Sequence, residues 1–411
     1  MTRYLLFLFL FFGNVLSAQV YVEGGYTRHR FAQLNLGVDF RHYPSQGTKT
    51  AGFNETGEIT QASLGSFSQA SIVIGGTHFW GHADFFIAIP VVNLNHAGFT
   101  PHVETGARYL PWRIEDKKIR PFVGFGWVPS TLRLGEGAEK LRHQLPLAAG
   151  LVYNRKNLLV ELGAAYDADT DYAYYIAPSH MEHLKVHQLR ITFGVKWMLE
   201  TTLGAEKSWQ NGRTKFVTDS LANAGKLNTW TIGAGPSSGI FLKAASHNSD
   251  LYPYMSQPKV SNTFPELSVG YYFHKPDLQT SLVYRSVSWK QKGFGHEQVL
   301  NRKALTLEAY HFFADYHGFS PFIGLGVSRE WLTLEEKLPD EETARFGNNL
   351  YRPTLITGWD IRPDRLQVIY LRTMVRWSPA LDLPTYSGKK FALDQIEFNF
   401  IQCIILLDRI F

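Results

Sequence analysis

From about residue 30 to the end of the chain, apolar side chains recur at every second position, and stretches with helical spacing are scarce. In 189–197, Leu189, Ile191, Phe193, Val195 and Trp197 alternate with Arg190, Thr192, Gly194 and Lys196. Such alternation sorts side chains onto the two faces of an extended strand. It recurs with Val160, Leu162, Ala164 and Tyr166, with Val123, Phe125 and Trp127, and with Leu305, Leu307 and Ala309. Sixteen candidate strands follow, centred near residues 35, 73, 87, 107, 125, 149, 162, 192, 237, 269, 284, 308, 326, 356, 372 and 401. Each strand with its connection takes about 25 residues, against about 8–12 for a soluble sandwich.

The connections alternate in length. Short turns stand at 78–82, 113–118, 153–157, 274–277, 315–318 and 360–365. Between them lie long polar stretches at 44–67, 93–102, 134–142, 167–184, 244–263, 288–302, 335–349 and 379–394. A soluble sheet has no reason to place its long loops on one edge, whereas a barrel threaded through an outer membrane does. In hydrocarbon every backbone amide must be paired within the protein, so a sheet spans only if it closes. Aromatic residues near strand ends, Trp112, Trp127, Trp197, Trp331, Trp359 and Trp377 among them, suit the two interfacial girdles of such a barrel.

Composition narrows the remaining classes. A single cysteine, Cys403, excludes a disulfide scaffold, and 14% aromatic residues argue against a disordered chain. The longest apolar run, residues 4–12, is too short to span as a helix. With Arg3 before it and Leu16-Ser17-Ala18 after it, it reads as an export signal cleaved after Ala18. The formal charge of +5 is spread without a basic block, so nucleic acid is not an expected partner.

An internal repeat divides the mature chain. RPFVGFGW at 120–127 returns as SPFIGLGV at 320–327, and each copy is followed by a Leu-Xaa-Leu-Xaa-Glu run. The expected organisation is a signal peptide at 1–18, an eight-strand half at 19–200, a polar periplasmic connector at 201–228 with a short helix near 216–224, and a second eight-strand half at 229–411.

The Ser17-Ala18-Gln19 signal exit, the alternating strands, the long and short loops and the aromatic terminus Ile410-Phe411 are together similar to the outer-membrane β-barrel proteins of Gram-negative bacteria, particularly the many uncharacterised ones of the Bacteroidetes lineage. The resemblance covers nearly all of the mature chain and implies location more than activity. In that class a terminal Phe on the last strand helps the insertion machinery recognise its substrate, a role that falls here to Phe411. Arg409 shares the face of Phe411, a departure from an all-apolar lipid face.

The fold class is therefore an all-β, antiparallel transmembrane β-barrel of about sixteen strands. One cylinder is preferred, since one chain usually closes one barrel and only one terminal Phe is present. The alternative is two tandem eight-stranded barrels, which the small inward residues Gly106, Gly124, Gly126, Gly150, Gly163 and Gly194 and the long connector suit. In a wide barrel the inward charges Glu161, Arg190, Lys196, Glu308, Arg372 and Arg376 line an aqueous lumen and set ion preference. In two narrow ones they neutralise one another, and function moves to the loops.

Chemical motifs are few. Asp167, Asp169 and Asp171 have the opening spacing of a calcium loop but lack its glycine and distal glutamate. His180, His183 and His187 offer imidazoles for a transition metal, with Lys185 on the same face. No metal site or cofactor is expected. His247, Ser249 and Glu266 resemble the histidine, serine and glutamate of outer-membrane lipid A 3-O-deacylases, with Asp250 where that motif has Asn. The expected function is a structural, porin-like or binding outer-membrane barrel without a catalytic centre. Its expected partners are outer-membrane lipid, the insertion machinery, and small solutes or envelope proteins. A lipid A deacylase-like hydrolase and a platform subunit of a secretion or motility complex are the alternatives.

Overall fold

The computed structural model describes residues 29–45, 49–53, 59–63, 65–94, 99–132, 140–202, 219–242, 245–255, 261, 263–315, 319–338, 343–362, 368–385 and 387–409. The export signal and Ile410-Phe411 lie outside these residues, as does most of the 201–228 connector, of which 219–223 are helical.

All sixteen strand centres read from the alternation fall within strands. The first eight are β1 (His29–Tyr43), β2 (Phe67–His78), β3 (Ala83–Leu94), β4 (Glu104–Tyr109), β5 (Ile119–Leu132), β6 (Leu147–Arg155), β7 (Leu158–Tyr166) and β8 (Leu189–Thr202). The second eight are β9 (Thr229–Phe241), β10 (Phe264–Phe273), β11 (Leu278–Gly293), β12 (His296–Phe312), β13 (Phe319–Lys337), β14 (Ala344–Ile361), β15 (Ile369–Trp377) and β16 (Gln395–Leu406). Each strand pairs antiparallel with its sequence neighbours.

Closure decides the architecture. β8 returns to β1, placing Val195 opposite Val38, and β16 returns to β9, placing Cys403 opposite Ala234. The chain thus forms two closed eight-strand barrels, and the preferred single sixteen-strand cylinder is corrected to its alternative. The physical reason is the filling: an eight-strand bore is just wide enough for side chains to occupy, and the inward residues of each half suit that width. Gly126 and Gly194 show the fit, because a Cβ at Gly126 would lie 2.4 Å from Glu104 Oε1 and one at Gly194 2.5 Å from Asp39 Oδ1. The glycines vacate the space that buried carboxylates take. The two repeat segments occupy the same place, on the fifth strand of each barrel, with Phe122 and Phe322 both turned inward and buried.

Two stretches expected as loops are strand instead. Residues 288–302 continue β11 and β12 as one long hairpin, and 335–349 include the ends of β13 and β14. Their outward faces turn polar, as at Ser288, Lys290 and Lys292, while backbone pairing continues, so polarity alone marks them as loops. Other long connections fold back as small ribbons, 171–177 with 180–185 and 381–383 with 391–393. Both rims follow: the hairpin turn at 155–158, with Lys156 at φ 54°, and the turn at 274–277, with Asp277 at φ 45°, are tight and stand on the short-turn side.

Candidate functional site: two filled lumens and the long-loop rim

Inside the first barrel, Glu104 accepts two hydrogen bonds from Arg190 at 2.8 Å each and pairs with Arg41 at 2.6 Å. Glu161 pairs with Arg108 at 2.6 Å and Lys196 at 2.8 Å. Asp84 accepts from Asn35 at 3.1 Å and faces Arg108 at 3.5 Å, while Asp39 faces Arg41 at 3.4 Å. Four acids thus meet four bases, all buried. The Arg108 guanidinium also stacks over Phe86 and Phe122, at 4.4 and 4.8 Å from the ring centres.

The second lumen is layered from the short-turn rim upward. Arg362 lies 3.7 Å over Phe312, a member of a buried cluster that includes Tyr272, Phe322 and Met374. Arg372 grips Asp360 through Nε at 2.7 Å and Nη2 at 2.9 Å. Arg376 then bridges two carboxylates, binding Glu266 at 2.7 and 2.8 Å and Glu308 at 2.6 and 3.1 Å. Glu266 also accepts from Ser237 at 2.8 Å. Above these, Glu397 joins Arg285 and Arg302, and Glu330 joins Arg302 and Arg352 at 2.5 and 3.1 Å. Phe241, Trp289, Leu300, Leu332, Leu334, Leu383, Phe391 and Leu393 close the upper end as an apolar plug. Bidentate contacts are needed here, since a buried charge without a partner costs several kcal/mol.

The six charged residues singled out in the sequence, Glu161, Arg190, Lys196, Glu308, Arg372 and Arg376, therefore lie buried among opposite charges rather than along water. Opposition across the lumen was not readable from the sequence, because it joins residues about a hundred positions apart, as Arg376 and Glu266 are. The outward faces are apolar: Ile323, Leu325 and Val327 on β13 are all exposed. Trp112, Trp197 and Trp377 are exposed, while Trp127, Trp331 and Trp359 are half-buried. Trp197, opposite Leu158, stands near the short turns, and Trp331 and Trp377 stand toward the long-loop end.

The metal candidates are drawn apart. His180 bonds Glu182 at 2.8 Å, His183 bonds Asp171 at 3.0 Å, and His187 donates to the Pro44 carbonyl at 2.8 Å. Asp169 pairs with Arg142 and its amide donates to Asp167. Among the described residues no group of three or more His, Cys, Asp or Glu side chains converges as a metal site.

His247, Ser249 and Glu266 are also not brought together. Glu266 is locked to Arg376 in the lumen, and the exposed Ser249 hydroxyl turns to the Ser246 carbonyl and to Asp250. His247, in the short helix α1 (Ser246–Leu251), is fully buried on the long-loop rim. Its Nε2 lies 2.7 Å from Glu336 Oε1 and its Nδ1 lies 2.9 Å from Ser387 Oγ. Glu336 also accepts from Gln298 at 2.7 Å, and Gln298 exchanges bonds with Asn248 at 2.9 and 3.2 Å. Glu336 and Ser387 carry no local motif with His247, being 89 and 140 positions away.

Fold and interior together define a tandem pair of closed, filled antiparallel barrels with an apolar outside. No protein-family model and no curated protein matches this chain. Among solved structures it is similar to the outer membrane protein OprG from Pseudomonas aeruginosa, at 12% identity and a TM-score of 0.29, over 44% of this chain and 96% of that one. It is similar as well to an outer membrane channel from Pseudomonas putida F1, at 10% identity and a TM-score of 0.20, over 94% and 100%. A third likeness is to outer-membrane expressed OmpT of Vibrio cholerae, at 9% identity and a TM-score of 0.18, over 91% and 97%.

Proposed function

We propose that the chain is an exported outer-membrane protein in which two narrow barrels act as lipid-seated platforms and the long-loop rims carry binding. In this reading residues 1–18 direct export, 201–228 link the barrels on the periplasmic side, and the last strand with Phe411 is presented to the insertion machinery. The equivalent fifth strands support an origin by duplication. The observation that carries the proposal is the neutralised, bidentate packing of Arg376 between Glu266 and Glu308, matched by Arg190 and Arg41 on Glu104 in the first barrel. Such pairs occupy the bore, which supports a platform role over passage of solutes. Outside, the exposed Ile323, Leu325 and Val327 need lipid to cover them.

Planar-bilayer recording on the refolded full chain tests this. The expected result is insertion without steady conductance steps; stable currents at porin level would contradict it.

A further inference from the structure

The polar cluster on the second barrel's rim is ordered from outside to inside in a way the platform role does not require. Ser387 is exposed beside Gly388, which adopts φ 74° and donates its amide to the Thr385 carbonyl. Behind Ser387 the imidazole of His247 and the carboxylate of Glu336 are both fully buried. The 2.9 and 2.7 Å contacts use opposite ring nitrogens, so Nδ1 is placed to take a proton leaving Ser387, and the imidazolium that forms has a carboxylate to hold it. The Lys389 amide donates to Ser387 Oγ at 3.2 Å, which favours negative charge on that oxygen. Thr385 Oγ1 lies 3.1 Å from Ser387 Oγ and donates its own proton to the Lys389 carbonyl, so it fixes the hydroxyl without supplying a base.

We propose that Ser387, His247 and Glu336 form a serine-hydrolase relay on the long-loop rim, acting on small carboxylic esters from the aqueous side. Ser387 Oγ attacks the ester carbonyl as its proton passes to His247 Nδ1. The carbon–oxygen bond to the alcohol breaks, and the alcohol leaves with that proton. Water then attacks the acyl-Ser387, giving its proton to Nδ1; the carboxylic acid departs and Ser387 is reprotonated. Glu336 is a positioning residue, accepting from Nε2–H throughout.

Height selects the substrate class. On β13 the apolar outward run ends at Val327, and Arg329 stacks on Trp331 at 5.1 Å where an interface would lie. Glu336 stands five residues beyond Trp331, roughly 12 Å farther along a tilted strand. An acyl ester inside the bilayer lies below that level, whereas acetyl-type esters in water or on surface glycans reach it. The proposal rests on the long-loop rim being the working face, not on closure of the bores.

The test uses the refolded full chain with p-nitrophenyl acetate and a fluorophosphonate probe. Expected are hydrolysis and probe adducts mapped by mass spectrometry to Ser387. Ser387→Ala abolishes the adduct and lowers turnover at least about 10³-fold. His247→Gln abolishes both while the protein keeps its folded, heat-modifiable gel band. Glu336→Gln lowers kcat about 10²–10⁴-fold with little change in KM, as loss of an orienting carboxylate does. No adduct at Ser387 in folded protein, or labelling unchanged by His247→Gln, would overturn the relay. Failure here with silent bilayer recordings leaves the platform reading standing, and porin-level currents with intact labelling do the reverse.

Discussion

Arg376 is the residue on which the second lumen turns. It binds Glu266 and Glu308 at once, with all three side chains almost fully buried. Arg376→Met strands both carboxylates and is expected to lower stability by about 3–5 kcal/mol, whereas Glu266→Ala leaves Arg376 paired with Glu308 and should cost about 1–3 kcal/mol for the buried donors it frees. Replacing the pair together, Glu266→Leu with Arg376→Met, still leaves Glu308 without its cation but removes one stranded carboxylate, so it should cost less than the sum of the two single changes. The temperature at which the folded gel band is lost measures both, and additive losses would deny the coupling. On the first barrel's outer rim, His187 sits against Tyr43, Phe67 and Phe99 with ring centres 5.2–6.0 Å away. Burial holds its pKa below the usual 6.5, although the bond to the Pro44 carbonyl pulls the other way. The folded ring stays neutral while the unfolded one takes a proton as pH falls below 6.5, so the rim contributes fully above that value and loses stability below it. His187→Phe should flatten the pH 5–7 part of the stability profile, and an NMR titration placing His187 at or above 6.5 would remove the basis for this. None of these contacts was legible in the sequence, since inward charges at alternate positions reveal their face but not the residue across the bore.

At the scale of elements the sequence spoke more clearly. Alternation in 189–197 is the burial alternation of β8, with Arg190, Thr192, Gly194 and Lys196 inward and Ile191, Phe193 and Trp197 outward. The ends were less legible. β11 and β12 run on to Gly293 and His296 because backbone pairing persists after the apolar face has stopped, and hydrophobic pattern reports the lipid-facing part of a strand only. The same distinction gives a test on β13. Leu325→Lys, in the middle of the apolar run, is expected to cost about 2–4 kcal/mol, and Thr333→Lys, beyond Trp331, no more than about 1 kcal/mol. Equal costs in refolding titrations into lipid vesicles would mean that no hydrocarbon boundary falls between them. The rim cluster lay beyond reach for a related reason: Ser387, His247 and Glu336 come from two connections and one strand end, and folding alone places them together.

The whole molecule follows from two seams. Sixteen strands were countable, but whether they close once or twice depends on which edge the eighth and sixteenth strands find, and period-two patterning is the same in both cases. The inward glycines and the long connector pointed to the narrow form, against the single terminal Phe. Filling settles it physically, since paired charges and apolar plugs occupy an eight-strand bore and would leave a sixteen-strand one mostly water. The native Cys403 lies opposite Ala234 on the β16–β9 seam. In the full chain, Ala234→Cys should therefore cross-link to Cys403 with oxidant or a short bismaleimide, giving a looped species of altered migration on denaturing gels that is absent in Cys403→Ser. Two barrels predict that cross-link. Its absence, together with a cross-link between a cysteine on β1 and Cys403, would show a single sixteen-strand cylinder and contradict the account.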